Sequence, residues 1–418
     1  MNAARRIELG ALLALAFFLP LYEAPKTIAW AVFVVAWLAN HARARNFGGR
    51  WDAWDWLIGA WIASGFVVAS CAGLHQSEWR GAVDLVRNGV LLWLLRRSDY
   101  SPREQRRILY ALLAGVVVAL ALGYWRLWHS VQPLELNSVG HVNHTAIYLA
   151  IMLGAAAAWL FSGGGIVASV TLIVLLVSLV VTASRAAIGV GLAMLVVLAA
   201  AWWPRSRRPL GAAAVLVAAT VAAAWFGDAQ FIQKHLANVQ ANNVLAYRDG
   251  IWRAALVAWE RYPVCGVGID NYQLVTMERL QVWRAEAGKD FDPQRYVEYV
   301  HAHSLYLTTL AERGVVGALA LGALLAAWLV WLARYRPRRE AADDEWLWWG
   351  AAAAAWIVTT GVGFVNTTLH HEHGMLAAFL LGVWLSRLRF TKRGGHQVLA
   401  TKLTSGISQV PRSNGEVA

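Results

Sequence analysis

Apolar stretches of about 20 residues recur along most of this chain, and they constrain it more than any motif does. A backbone placed in hydrocarbon must satisfy its own hydrogen bonds, so blocks of that length specify membrane-spanning helices. The composition agrees, with 58% hydrophobic and only 15% charged residues among 418. A soluble domain carries roughly 25% charged and about 45–50% apolar residues. Chain-wide disorder, collagen-like repeats and a disulfide scaffold are excluded. Two cysteines, Cys71 and Cys265, provide no zinc framework.

Twelve spans are expected, at about 7–22, 26–39, 54–74, 79–95, 107–128, 144–161, 166–183, 186–203, 210–226, 304–333, 346–365 and 372–388. With the N-terminus inside, one side collects Arg5, Arg6, Arg43, Arg45, Arg50, Arg96, Arg97, Arg103, Arg106 and Arg107. The same side takes Arg205, Arg207, Arg208, Arg334, Arg336, Arg338, Arg339 and the basic C-terminal tail. The short loops opposite hold only Lys26, Arg80, Arg87 and Arg185. This positive-inside asymmetry predicts both termini in the cytoplasm. The net charge of +12 is then an insertion signal, and no nucleic-acid partner is expected. Residues 7–22 follow a basic start without a small-residue cleavage site, so they read as an uncleaved first helix. Trp51, Trp54, Trp56, Trp202, Trp203, Trp346, Trp348 and Trp349 fall near span ends and are expected to anchor in the headgroup layer.

The fold class expected is an all-α integral membrane protein of about 12 transmembrane helices with one large, partly helical extracytoplasmic loop. Residues 1–226 carry nine spans, 227–303 the loop region, 304–389 three more spans, and 390–418 a polar tail expected to be disordered. A long connection without structure would be unusual, and functional loops are the commonest exception. Ala246–Arg261 reads as an amphipathic helix stopped by Pro263 and the Gly266-Val267-Gly268 turn, and 270–287 and 293–303 are expected to be helical too.

The candidate chemistry gathers on the extracytoplasmic side. Arg185, in Thr182-Ala183-Ser184-Arg185, lies between two apolar blocks and cannot discharge itself, because guanidinium stays ionised. A harmless snorkelling role is the bland alternative. Arg248 and Arg253 differ by about 140° on a helix, so at most one is expected to share a site with Arg185. His301 and His303 form an HxH pair that, on a helix, would point to nearly opposite sides. One neutral imidazole there suits proton removal from a hydroxyl. His370, His371, Glu372 and His373 look metal-binding but lack HExxH or CxxC spacing, so a sugar- or phosphate-contacting role and an ordinary polar loop remain the alternatives. If Cys71 and Cys265 both face the oxidising side, a bond between them is open.

Taken together, Ser184-Arg185, Arg248-x-x-x-Trp252, Tyr262-Pro263-Val264-Cys265-Gly266-Val267-Gly268, Ala302-His303-Ser304-Leu305-Tyr306-Leu307 and Glu312-Arg313-Gly314-Val315-Val316-Gly317 resemble the O-antigen ligase and polymerase superfamily of bacterial envelope proteins. The resemblance covers about residues 166–335. Where the family usually has Asn after the motif histidine, this chain has Ser304, which leaves open any contact made by that amide.

The resemblance implies a glycosyltransferase of the bacterial inner membrane, acting at the periplasmic face on an undecaprenyl-diphosphate-linked glycan donor. In the ligase branch the acceptor is a sugar hydroxyl of the lipid A core, and membrane lipids are the surrounding partners. Its expected catalytic residues are His303 as base and Arg185 and Arg248 on the diphosphate, with Arg253, His301, His370, His371 and His373 binding substrate. No cofactor and no metal are expected, since two guanidinium forks can neutralise a diphosphate leaving group unaided. A polymerase using the same donor is the near alternative, and a lipid-linked glycan transporter the distant one. Against transport, no repeat relates the two halves and the polar candidates gather at one face.

Overall fold

The computed structural model describes residues 3–130, 133–227 and 247–407. Its fourteen α-helices are α1 (Ala3–Phe18), α2 (Glu23–Arg43), α3 (Ala53–Ser70), α4 (Glu78–Arg97), α5 (Pro102–His129), α6 (Val142–Phe161), α7 (Gly165–Val181), α8 (Arg185–Trp202), α9 (Arg208–Gly227), α10 (Arg248–Arg261), α11 (Met277–Glu286), α12 (Leu305–Arg334), α13 (Asp343–Val362) and α14 (His371–Ile407). Short 3-10 turns lie at Tyr272–Leu274 and Pro293–Arg295, and there is no strand among the described residues. Each apolar block expected to span coincides with a helix. Five of them, α3, α5, α6, α8 and α12, are long and apolar enough to cross a membrane, as befits a helical membrane protein.

Local signals place the helix starts. Asp52 and Asp55 form a capping box on α3, Ser101 and Glu104 another on α5 with Pro102 in its first turn, and Ser304 caps α12. At the centre lies α6, whose side chains from Thr145 to Ala158 are all buried. It packs against α7, α8 and α13. The approach to α13 is a small-residue contact in which a β-carbon on Gly154 would collide with Ala354. Lipid tails are as apolar as leucine, so close backbone approach rather than hydrophobic transfer drives such packing.

Five of the eight tryptophans expected as headgroup anchors are instead core residues: Trp54, Trp202, Trp346, Trp348 and Trp349 are buried. Trp202 meets Trp346 and Trp349 at ring-centroid distances of 4.8 and 5.9 Å. Their place near helix ends reflects filling of the bundle's end, and of the eight Trp51, Trp56 and Trp203 are exposed. At that end the arginines are tied down. Arg96 and Arg97 are buried on Asp55, Arg5 pairs with Glu8, Arg106 with Asp344 and Arg205 with Asp343.

The connection between α9 and α12 has a small core of its own, built from Ile251, Ala255, Val267, Tyr272, Leu280 and Trp283. Helix forms at Arg248–Arg261, close to the sequence expectation, with Ala246 outside the described residues, while the helix expected over 270–287 is confined to Met277–Glu286 and preceded by a 3-10 turn at Tyr272–Leu274. The expectation of a helix through 293–303 is corrected. Only Pro293–Arg295 turns, and the chain then runs irregularly to Ser304. Helix α14 continues through Ile407, into the segment whose composition reads as a disordered tail, while 408–418 lie outside the described residues.

Helix α12 is broken at Gly314 (φ 56°, ψ −156°). The break frees backbone groups that segment 263–268 then satisfies. Val267 and Gly268 donate their N–H groups to Ala311 and Glu312 (2.8 and 2.9 Å), while Val315 and Val316 donate to Pro263 and Val264 (2.9 and 3.2 Å). On its other edge the same segment accepts from Gly73 and Leu74. Cys71 and Cys265 are disulfide-bonded beside these contacts, with Cα atoms 5.9 Å apart, so the bond left open by the sequence is formed.

A β-carbon on Gly314 would collide with the Val264 carbonyl, and its backbone angles suit only glycine. Gly314→Ala is expected to destabilise the protein by about 3 kcal/mol or more. Thermal unfolding in detergent measures this, and an unchanged midpoint would refute the reading of the break.

Candidate functional site

The end of the bundle opposite the paired arginines gathers residues from widely separated segments. Arg185 is the first residue of α8 and Arg248 the first residue of α10. A cation at a helix N-terminus opposes the helix dipole, so this placement is unfavourable unless an anion joins it. The two guanidinium groups are near enough that Arg185, together with burial, lowers the proton affinity of Arg248. Arg248 Nε also donates to the Val365 carbonyl (3.0 Å), tying α10 to the loop between α13 and α14. Arg253 is placed differently. It is exposed and its ion pair is with Asp249 at 3.9 Å, one turn away on the same helix.

His303 lies near enough to Arg248 to feel its charge. Burial pushes its imidazole down to about 4, His301 and Arg248 push in the same direction, and the Asn366 amide opposes them. Among the described residues, its Nδ1 is buried without a hydrogen-bond partner. Because the chain is irregular here, His301 and His303 do not point apart as a helix would require, and their ring centroids lie 4.5 Å from each other. Tyr299 packs on His303, also at 4.5 Å. Ser304, where the family usually has Asn, accepts from Leu307 N–H and donates to the Gly363 carbonyl. Serine and asparagine are equivalent N-caps, so the departure preserves the start of α12.

The 370–373 string splits into different roles. His370 and His371 face a cavity of about 340 Å³ that His301 also lines. His373 is fully buried, with Nε2 3.1 Å from the Thr367 carbonyl. Glu372 is bound by buried Lys26, with Ser138 Oγ 3.1 Å away, so it holds α2 and the 134–140 loop against α14. Sequence reasoning passed over His144, at the start of α6. Its ring lies 5.0, 5.1 and 5.2 Å from His370, His371 and His373. The signal was available, because His141 and His144 open a predicted span on the same side as every other candidate. Among the described residues, no three His, Cys, Asp or Glu side chains are disposed to share a metal ion.

Left-handed backbone marks the same region. Of the non-glycine residues with positive φ, Ala183, Tyr247, His303 and His371 each lie within two residues of Arg185, Arg248 or a clustered imidazole. Such conformations cost of order 1–3 kcal/mol each and persist where surrounding structure imposes them, often at functional sites.

Comparison with known proteins bears on this region directly. Residues 170–322 match the sequence model of a family described as O-antigen ligase. The matched stretch holds Arg185, Arg248, His301 and His303 and ends before the 366–373 loop. No curated protein matches the chain.

Two outcomes follow. Removing one partner of the buried Lys26–Glu372 pair, as in Glu372→Gln, should destabilise by about 3–5 kcal/mol, whereas Lys26→Met with Glu372→Leu should recover most of that loss. Calorimetric scans of the two variants decide it, and equal destabilisation would contradict the pairing. Second, His301 and His303 both titrate at about 4 when folded, against an ordinary 6.5. Between those values the unfolded chain binds more protons, so stability should fall as the pH drops from about 6.5 to about 4. A melting temperature flat across that window would count against buried neutral imidazoles.

Proposed function

With residues 170–322 assigned to the O-antigen ligase family, we propose that this protein transfers a glycan from an undecaprenyl-diphosphate donor to a sugar hydroxyl of the lipid A core. The observation that carries the reading is the closeness of Arg185 and Arg248, each opening a helix, with the half-buried imidazole of His303 near Arg248. A diphosphate is already a good leaving group, so the barrier is lowered chiefly by neutralising the charge it gathers as the glycosidic bond breaks. Two permanently ionised forks and two helix N-termini suit that task without a metal.

The step balances simply. The acceptor hydroxyl attacks the anomeric carbon, its proton passes to His303 Nδ1, and the electron pair of the broken C–O bond stays on the diphosphate. His303 Nδ1 is buried without a hydrogen-bond partner among the described residues, which suits it to take the proton in the tautomer that leaves its lone pair free. Attack from the side opposite the diphosphate inverts the anomeric configuration. Arriving diphosphate charge would also offset the arginine that depresses His303, making the base stronger once the donor is bound.

The membrane setting follows from the same distribution of charge. The end rich in arginine faces the cytoplasm, and the site faces the periplasm. The Cys71–Cys265 bond supports that assignment, since it lies at the site's end of the molecule and disulfides form in oxidising compartments. Twelve helices crossing, with both termini inside, is the topology this reading requires.

In a reconstituted assay with lipid-linked glycan and lipid A core, His303→Ala should lower kcat by about 10²–10⁴-fold. Arg185→Lys, which keeps charge but loses the fork, should lower transfer by about 10–100-fold. NMR of the product should show the anomeric configuration opposite to that of the donor bond. Retention of configuration would overturn direct displacement, and a product formed only from two lipid-linked glycans would convert the assignment to polymerase.

A further inference from the structure

A cavity of about 340 Å³ lies between α4, the start of α12 and the loop before α14. It meets the proposed base through His301, but Arg185, Arg248 and His303 are not among its lining residues. Five buried polar atoms of the lining have no hydrogen-bond partner among the described residues: Arg87 Nε, Asn88 Oδ1, His301 Nε2, Arg313 Nε and His370 Nε2. Buried polar atoms are nearly always satisfied, so several orphans around one cavity imply a polar occupant.

The type of each orphan narrows that occupant. The two Arg Nε–H groups can only donate, Asn88 Oδ1 can only accept, and each imidazole nitrogen does one or the other. A phosphate, which only accepts, would leave Asn88 unsatisfied. An ammonium group would leave both arginines unsatisfied. A hydroxyl both donates and accepts, and several on one ring answer the whole set. The volume falls within the range of small-ligand sites, about 300–1,000 Å³.

We propose that this cavity is the saccharide subsite for the acceptor, in which Asn88, Arg87, Arg313 and His370 hydrogen-bond the hydroxyls of an acceptor sugar and present one of them towards His303. This rests on the transfer reading above and adds to it a division of the site. The diphosphate of the donor is held on the Arg185–Arg248 side, the acceptor sugar on the α4 side, and the imidazoles of His301 and His303 stand between. That arrangement also supplies the opposed approach that inversion needs.

Binding and turnover test this separately. The full-length His303→Ala protein in detergent is titrated with soluble core oligosaccharide freed of lipid A, following the heat of binding by isothermal titration calorimetry. Saturable binding is expected, weakened about tenfold or more by adding Asn88→Leu, the loss that follows one unsatisfied buried group. Arg80→Ala, at an exposed residue of the cavity wall, is the second variant and should weaken binding several-fold without endangering the fold. In otherwise unaltered protein, both substitutions should raise KM for the acceptor and leave KM for the lipid-linked donor unchanged. Absence of saccharide binding, or a rise in donor KM instead, would overturn the subsite and leave the orphan atoms to water. Asn88-dependent binding combined with no transfer by the protein carrying no substitution would sink the transfer reading while the saccharide site survives. Transfer with unaltered acceptor KM in both variants would do the reverse.

Discussion

A backbone that leaves helical geometry inside an apolar bundle must find new partners for its freed N–H and C=O groups, and the break at Gly314 meets that demand with a neighbouring segment. Residues 263–268 lie along the broken turn, exchange hydrogen bonds with it on one edge and with 73–74 on the other, and are tied to α3 by the disulfide. Helix α10 ends immediately before this segment, and α12 starts at Leu305, only nine residues before the break. The position of Arg248 relative to His303 therefore depends on a main-chain arrangement some distance from either. Two of the sequence motifs, Pro263-Val264-Cys265-Gly266-Val267-Gly268 and Glu312-Arg313-Gly314, are the two halves of that joint. Gly266, with φ of 66°, would drive a β-carbon into the Ala311 and Glu312 backbone, and Gly314 would return the collision against Val264.

Much of the helical layout was legible because apolar block length translates directly into helix. The separation of Arg248 from Arg253 was legible for a similar reason, since helical periodicity alone keeps the two from facing one site. What escaped depends on contacts between distant segments. His141 and His144 form no recognisable string with 301–303 or 370–373. Glu372 looked like part of a metal-binding set, and nothing local indicated that Lys26 would hold it. The tryptophans near helix ends showed that they sit at a boundary but not whether they face lipid or the interior, and five of them face the interior. The loss of helix before Ser304 likewise had no local signal, yet it alone brings the rings of His301 and His303 side by side.

The charges at the two ends of the bundle are handled in contrasting ways. At one end, arginines are consumed by carboxylates: Arg96 and Arg97 on Asp55, Arg205 on Asp343, Arg106 on Asp344. At the other, Arg185 and Arg248 repel one another and open helices whose dipoles oppose them. The first arrangement favours a settled structure. The second sets two cations side by side at helix starts, an arrangement suited to an anionic ligand.

The bridge between Cys71 and Cys265 joins parts of the chain 194 residues apart in sequence, and this has a bearing on biogenesis. Cys71 follows α3 and leaves the ribosome long before its partner, so the earlier thiol has to wait, reduced, while the helices from α4 to α9 are synthesised. Only after residue 265 arrives and meets an oxidant does the joint beneath α10 become covalent. Covalent closure of the joint is thus set by the arrival of residue 265, and under reducing conditions the hydrogen bonds around Gly314 would hold it alone.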